Sequence, residues 1–324
     1  MNRLSADRSE PRSRRVLERG SPRTLVAYLL LAFAVLCWAG NFVVGRSLRF
    51  DVPPVAFTFW RWTVALLVLL PFSMVRWRQQ CSAVRRSWRV IALLALLASV
   101  VQHIAIFWGL TRTSATSASL LNSTSPIFIV LISTVFLKER FNLFSTIGIL
   151  ISLVGVSVIV SQGEFDAIRH VDMNSGDLSV LVGTLGWAGY TVCLRWRPPE
   201  LLDVEFLGLI AAFSVVMLTP LYIWEMAAGK SMHANASSLV GISYVGLVAS
   251  VIAYIAWNRG VARVGAPTAA PFMYLMLLFT PVLSMIFLHE RVHFYHVLGA
   301  GLILGGIYLS TGMTRRRRVE LAGH

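Results

Sequence analysis

The sequence predicts an all-α polytopic membrane protein: ten transmembrane helices arranged as two inverted five-helix repeats, with both termini cytoplasmic. Three observations predict it. Hydrophobic residues make up 56% of the 324 and charged ones only 14%, at a mean hydropathy of +0.69, whereas charged residues approach a quarter of a soluble globular domain. Apolar stretches near the ~20 residues that a helix needs to cross a ~30 Å hydrocarbon core recur along the chain. Finally, one helix-turn-helix stretch is written twice. Moved by 151 places without a gap, Phe107–Ala115 falls on Asn258–Ala266 and Phe136-Leu137-Lys138-Glu139-Arg140 on Phe287-Leu288-His289-Glu290-Arg291. The same shift lays Gly148 on Gly299 and Gly155 on Gly306; with the offset reduced by two, Trp38-Ala39-Gly40 falls on Trp187-Ala188-Gly189.

Residues 1–24 are polar and Arg-rich with two prolines, cannot bury much apolar area, and are expected to form a disordered cytoplasmic tail. The first span follows at about 25–45. Its Ala32-Phe33-Ala34 looks like a signal-peptide cleavage site, but the Trp38 motif returns at Trp187, deep in the chain, so the run is read as a span. Spans two to five fall at about 54–75, 90–110, 115–137 and 143–161, completing a first repeat over 25–161. An acidic linker, 162–176, precedes the second repeat, 177–313, with spans at 177–195, 204–224, 238–258, 267–288 and 295–313. Residues 314–324 are a basic cytoplasmic tail. Pro126 and Pro281 lack an N–H and are expected to kink the fourth and ninth helices; Pro126 falls on Leu277 at the 151 offset, so the kinks are not equivalent.

Orientation follows from the basic residues. With the N-terminus inside, the inner segments carry 22 Lys and Arg and the outer ones six: Arg46, Arg49, Arg112, Arg169, Lys230 and Arg291. Five spans per repeat then turn the second half upside down, the plan of many secondary transporters, whose site lies near the midplane between the halves. The net charge of +14 and the pI of 10.8 do not point to nucleic acid, because the basic residues sit in short runs between apolar segments. Cys37 and Cys193 lie in apolar stretches and Cys81 in a basic loop, which is neither disulfide nor metal spacing.

Four motifs in order resemble the EamA-type branch of the drug/metabolite transporter superfamily. They are Trp38-Ala39-Gly40-Asn41 in the first span, Phe59-Trp60-Arg61-Trp62 entering the second, the run Ser125–Arg140, and the returning Leu288-His289-Glu290-Arg291. The resemblance covers Leu25 to about Thr311. It implies a carrier that moves small metabolites such as amino acids across the bacterial inner membrane, usually outward.

Every carboxylate falls in a tail, a loop or at a span end. Carriers of cations usually recruit an embedded Asp or Glu, since an unpaired charge in the membrane is expensive, so the expected substrate is neutral, zwitterionic or anionic. Arg61 is the one basic residue well inside a span. It either snorkels to the outer headgroups between Trp60 and Trp62, or stands in a cavity as a cation that pairs a substrate carboxylate or orders helices. His103 lies midway along the third span beside Gln102, and its repeat partner is Tyr254. It is a candidate proton site, being the mid-membrane side chain that titrates near neutral pH, or a packing residue bonded to a nearby Ser.

Asn41 and Tyr190 are repeat partners, each after Trp-Ala-Gly; Trp38 and Trp187 line a cavity or fill one, and Gly40 and Gly189 let helices approach. Asn122, Ser123 and Ser125 give the fourth helix polar groups before Pro126, and Tyr274 is the partner of Ser123. The candidate cavity set is therefore Trp38, Asn41, Arg61, Gln102, His103, Asn122, Trp187, Tyr190, Tyr254 and Tyr274, on spans one to four and six to nine. His289-Glu290-Arg291-Val292-His293 matches H-E-x-x-H, which on a continuous helix would bind zinc as in a metalloprotease. Here it falls in the loop between spans nine and ten, where Glu290, like Glu139 in its twin, is expected to satisfy amides at the start of the next helix. Gly148/Gly155 and Gly299/Gly306 give spans five and ten flat faces for packing within a repeat or for a dimer partner. No catalytic residue, cofactor or resident metal is expected. The expected partners are the lipid bilayer, a small metabolite and, if transport is coupled, a proton; monomer and homodimer both stay open, and so do a channel and a sensor.

Overall fold

The computed structural model describes residues 22–79, 81–137, 143–161, 163, 174–264 and 270–321, among which there is no strand. Helices α1 (Pro22–Ser47) and α2 (Pro54–Gln79) both begin on proline, whose missing N–H is one that a helix start leaves free anyway. Helix α3 runs Cys81–Leu110, with its middle, Leu96–Ile104, wound as a π-helix. Helices α4 (Ala115–Asn122) and α5 (Ser125–Leu137) follow, then α6 (Leu143–Val160) and α7 (Ser175–Cys193). Helix α8 is Asp203–Ala227, and α9 consists of Ala236–Ser243, a π-helical Tyr244–Ile252 and Ala253–Val264. A 3-10 turn, Ala270–Leu275, leads into α10 (Met276–Leu288), and α11 (Phe294–Leu321) ends the described chain. Side-chain oxygens cap several starts: Ser114 accepts from the Ser117 N–H, Asn174 from Gly176 and Asn235 from Ser238, at 2.8–2.9 Å.

Features recur at the offsets of the sequence. Helices α5 and α10 start and end 151 residues apart, and α6 and α11 start 151 apart. The interior prolines of α2 and α8, Pro71 and Pro220, lie 149 apart, and the two π-helical stretches 148. Among the described residues, five helices are long and apolar enough to cross a membrane by themselves: Leu25–Ser47, Pro54–Met74, Cys81–Leu110, Asp203–Ala227 and Ala236–Trp257.

Packing interleaves the two halves. Helix α1 lies against α9 and α10, α2 against α8 and α9, α3 against α7, and α6 runs beside α11. Small residues set these approaches: a Cβ on Gly155 would stand 2.7 Å from the Gly299 carbonyl oxygen, and one on Gly183 2.8 Å from that of Gln102. Helices α6 and α11 therefore pack across the halves through Gly155 and Gly299, not within a repeat. Gly40 is closed in by the Tyr244 hydroxyl, whereas Gly189 meets only Leu97 at ordinary contact.

Other expectations change. The basic stretch between the second and third spans is helical on both sides of Gln80 instead of a loop, and Cys81 opens α3. Helix α3 gains two extra turns because Ala83 and Ile91 bury one side while Arg86 reaches outward to Glu200 at 2.6 Å. At Pro126 the chain is broken, not kinked. Helix α4 ends at Asn122, and Pro126 falls in the first turn of α5, where proline is tolerated. Hydroxyls satisfy the carbonyls near the break: Ser123 Oγ donates to Ser119 O at 2.8 Å and Thr124 Oγ1 to Leu121 O at 2.7 Å. Pro281 does lie inside a helix, α10. The C-terminal stretch continues as helix to Leu321. The N-terminal tail before Pro22, Lys138–Asn142 with Glu139, and Glu164, Asp166 and Asp172 of the linker lie outside the described residues.

Candidate functional site

A cavity is lined by Trp38, Asn41 and Phe42 of α1, Arg61 of α2, and Gln102, His103 and Ile106 of α3. Asn122 at the end of α4, Trp187 of α7, Tyr254 of α9, Met273 of the 3-10 turn and Met276 of α10 complete the wall. Eight of the ten sequence candidates meet here. Tyr190 is stacked on Trp187, centroids 5.3 Å apart and planes at 27°, but does not line the cavity. Tyr274 also stays out of the wall, between Met273 and Leu275 on the short 3-10 turn. Helix α8, expected from the sequence as a seventh span, contributes no lining residue; its Tyr222 stacks on Phe59 of α2 instead, at 4.5 Å and 11°.

Arg61 does not snorkel. It is 2% exposed, and Trp62, which the snorkelling alternative put at the headgroups, is fully buried. Its Nε donates to Ser250 Oγ at 2.7 Å and its Nη1 to Asn41 Oδ1 at 2.8 Å. Ser250 in turn donates to Val245 O at 2.8 Å, five residues back in the π-helical stretch. Trp38 is fixed the same way, its Nε1 donating to Ala249 O at 2.9 Å while its ring meets Tyr254 edge-on at 5.5 Å. The two π-helical stretches thus present backbone and side-chain groups to the cavity from both halves, a usual place for such bulges.

His103 has no Ser partner among the described residues. It stacks on Phe107 at 6.0 Å and meets Trp62 edge-on at 5.7 Å. Its Nδ1 and the neighbouring Gln102 Oε1 are buried without a hydrogen-bond partner among the described residues. Asn122 Oδ1 accepts from Thr184 Oγ1 at 3.4 Å, which ties α4 to α7 at the cavity edge. No Asp or Glu lines the wall among the described residues.

The model of the EamA-like transporter family matches this chain twice, over residues 25–161 and 174–312. The chain belongs to the EamA-like transporter family. An uncharacterized transporter of Archaeoglobus fulgidus is 29% identical over 286 residues, 88% of this chain and 96% of that protein. The uncharacterized transporter YetK of Bacillus subtilis is 23% identical over 88% of this chain and 86% of its own. A WAT1-related protein of Arabidopsis thaliana is 25% identical over 90% and 84%. One solved crystal structure superposes with a TM-score of 0.60 at 21% identity, covering 90% of this chain and 98% of that one, a likeness of fold. The four motifs therefore carried a real kinship: the protein is a membrane transporter of the drug/metabolite type, with a small-molecule substrate.

In this EamA-like chain the H-E-x-x-H match has no helix to act on. His289 ends α10 in the left-handed conformation, φ 54°, and the chain stays non-helical to His293, so the two imidazoles are not set on one helical face. No group of three metal-binding side chains occurs among the described residues. Glu290 does cap a helix, but not the next one. Its carboxylate accepts from the Ala115 N–H at 3.1 Å, the Thr116 N–H at 3.3 Å and Thr116 Oγ1 at 3.2 Å, at the start of α4. Sequence reasoning missed Phe42, Ile106, Met273, Met276 and Ser250. Helical spacing was the available signal: Phe42 is four residues from Trp38, Ile106 three from His103, and Ser250 four from Tyr254.

Proposed function

We propose that this transporter is a secondary carrier with ten spans in two inverted repeats and both termini cytoplasmic, set in the bacterial inner membrane. It exports small neutral, zwitterionic or anionic metabolites such as amino acids by alternating access. The observation that carries the reading is a cavity walled by residues of both family matches, with a buried arginine in it and no carboxylate among its described lining residues. A site straddling the two halves is what rocking halves would expose in turn. His103 is the group at which proton coupling would act.

The test is radiolabelled amino-acid counterflow in proteoliposomes, with and without a pH gradient, for wild type and His103→Ala. Accumulation that needs the gradient and is lost in His103→Ala places the proton site there. Exchange that survives in both cases makes the carrier a facilitator or exchanger and His103 a packing residue. If no amino acid, sugar or organic acid exchanges, the carrier mechanism is refuted.

A further inference from the structure

The cavity holds a cation without a counterion, and that asymmetry bears on what fills it. Arg61 is nearly inaccessible, and its guanidinium remains charged in any protein environment. Yet its two hydrogen-bond acceptors, Asn41 and Ser250, are neutral, and no ion pair among the described residues includes it. A buried charge without a partner of opposite sign carries a desolvation penalty of several kcal/mol. If its task were only to hold α1, α2 and α9 together, a carboxylate at position 41 would do so with less penalty.

The geometry instead leaves a working edge. Nε and Nη1 are pinned from two helices, and Nη2 makes no hydrogen bond among the described residues. A guanidinium held this way is pre-oriented to donate to a planar anion. Besides the polar Asn41, Gln102, His103, Asn122 and Tyr254, the wall offers apolar, polarizable side chains: Trp38, Phe42, Ile106, Trp187, Met273 and Met276.

We infer that Arg61 is the residue that binds a substrate carboxylate, and that the substrates are small carboxylates with an apolar side chain, not amines. The inference rests on the carrier reading above and adds the chemical class. Asn41 then has a definite part: its neutral carbonyl steadies the guanidinium without neutralising it.

Three probes of one shape separate the classes: L-leucine, 4-methylpentanoate, which lacks the amine, and isopentylamine, which lacks the carboxylate. Each is added to the purified full-length protein, and the unfolding temperature in detergent is followed; each also competes against radiolabelled leucine counterflow in proteoliposomes. Leucine and 4-methylpentanoate are expected to raise the unfolding temperature and compete, and isopentylamine to do neither. Arg61→Gln weakens leucine binding roughly 10- to 100-fold, the factor that a charge-assisted hydrogen bond is worth. Because Arg61→Gln can also loosen the fold, Asn41→Asp is the sharper variant. It places a carboxylate where the Asn41 oxygen sits, keeps the ligand-free unfolding temperature at or above that of wild type, loses the leucine effect and favours isopentylamine. Isopentylamine acting as well as leucine in wild type, or an undiminished leucine effect in Asn41→Asp, overturns the inference. So does exchange of other solutes when none of the three probes binds, which leaves the carrier reading intact. Failure of every solute to exchange refutes the carrier reading, and this inference with it.

Discussion

Asn41 meets two demands at once, since its oxygen must hold the Arg61 guanidinium and its side chain must fit at the cavity wall. Replacing it by Leu keeps the size and removes the acceptor. A hydrogen bond to a charged group is worth about 1.5–3 kcal/mol, and Asn41→Leu is expected to destabilise by about that much, read as a lower unfolding temperature in detergent. Ser250→Ala, which removes the acceptor of Nε, should cost a similar amount, and the double variant less than the sum because both act on one group. Equal, fully additive losses would mean that the two side chains do not share Arg61. At this scale the polar half of the site was legible, because Asn41, Arg61, Gln102, His103 and Asn122 stand out in apolar spans. The apolar half was not: Met276 or Ile106 differs from a lipid-facing neighbour only in its azimuth around the helix. Tyr190 shows the same limit, since its repeat partner lines the cavity and it does not.

Among the elements, the contact of α6 with α11 is set by two glycines that meet backbone to backbone. A Cβ on Gly155 would lie 2.7 Å from Gly299 O and 2.9 Å from the Ile303 side chain, and one on Gly299 2.9 Å from Gly155 O. Gly155→Val must push the helices apart, an overpacking cost of about 1–3 kcal/mol. Gly301→Ala, with nothing within 4 Å of the added carbon, is the matched control and should be neutral or slightly stabilising in unfolding temperature. The spacing of these glycines was visible in the sequence, but not their partner, because a seven-residue period marks a face without saying which helix lies on it. The break before α5 was legible as a cluster of Asn, Ser and Thr before Pro126. Its form was not, since nothing local decides whether hydroxyls will satisfy the freed carbonyls inside a bent helix or end it.

On the scale of the whole molecule, the second half closes one end over the first through two carboxylates. Glu225 of α8 accepts from the Ala56 N–H at 2.7 Å and the Val55 N–H at 3.3 Å, capping α2, and Glu290 caps α4 in the same manner. Both bind at helix N-termini, where free amides and the helix dipole favour an anion. Arg46 of α1 joins them, its Nη1 donating to Leu110 O at 2.7 Å and its Nε standing 3.9 Å from Glu290. The sequence placed Glu225 at a span end and Glu290 in the loop between spans nine and ten but gave no sign that they reach across the halves, because a cap is recognised by a spacing of three residues and these lie 169 to 175 residues from their amides. Under rocking of the halves this end cannot open without giving up both caps, at about 1 kcal/mol for each helix start. Converting both to glutamine removes the negative charge that the helix starts favour, and should raise the share of molecules open at this end roughly 10-fold. The measurement uses protein with its three cysteines replaced and a single reporter, Phe42→Cys, in the cavity wall. A membrane-impermeant maleimide applied from the Glu290 side should label the reporter faster in Glu225→Gln/Glu290→Gln than in the parent. Unchanged or slower labelling would mean that the caps stabilise the helices without holding the end shut, and that the halves part elsewhere.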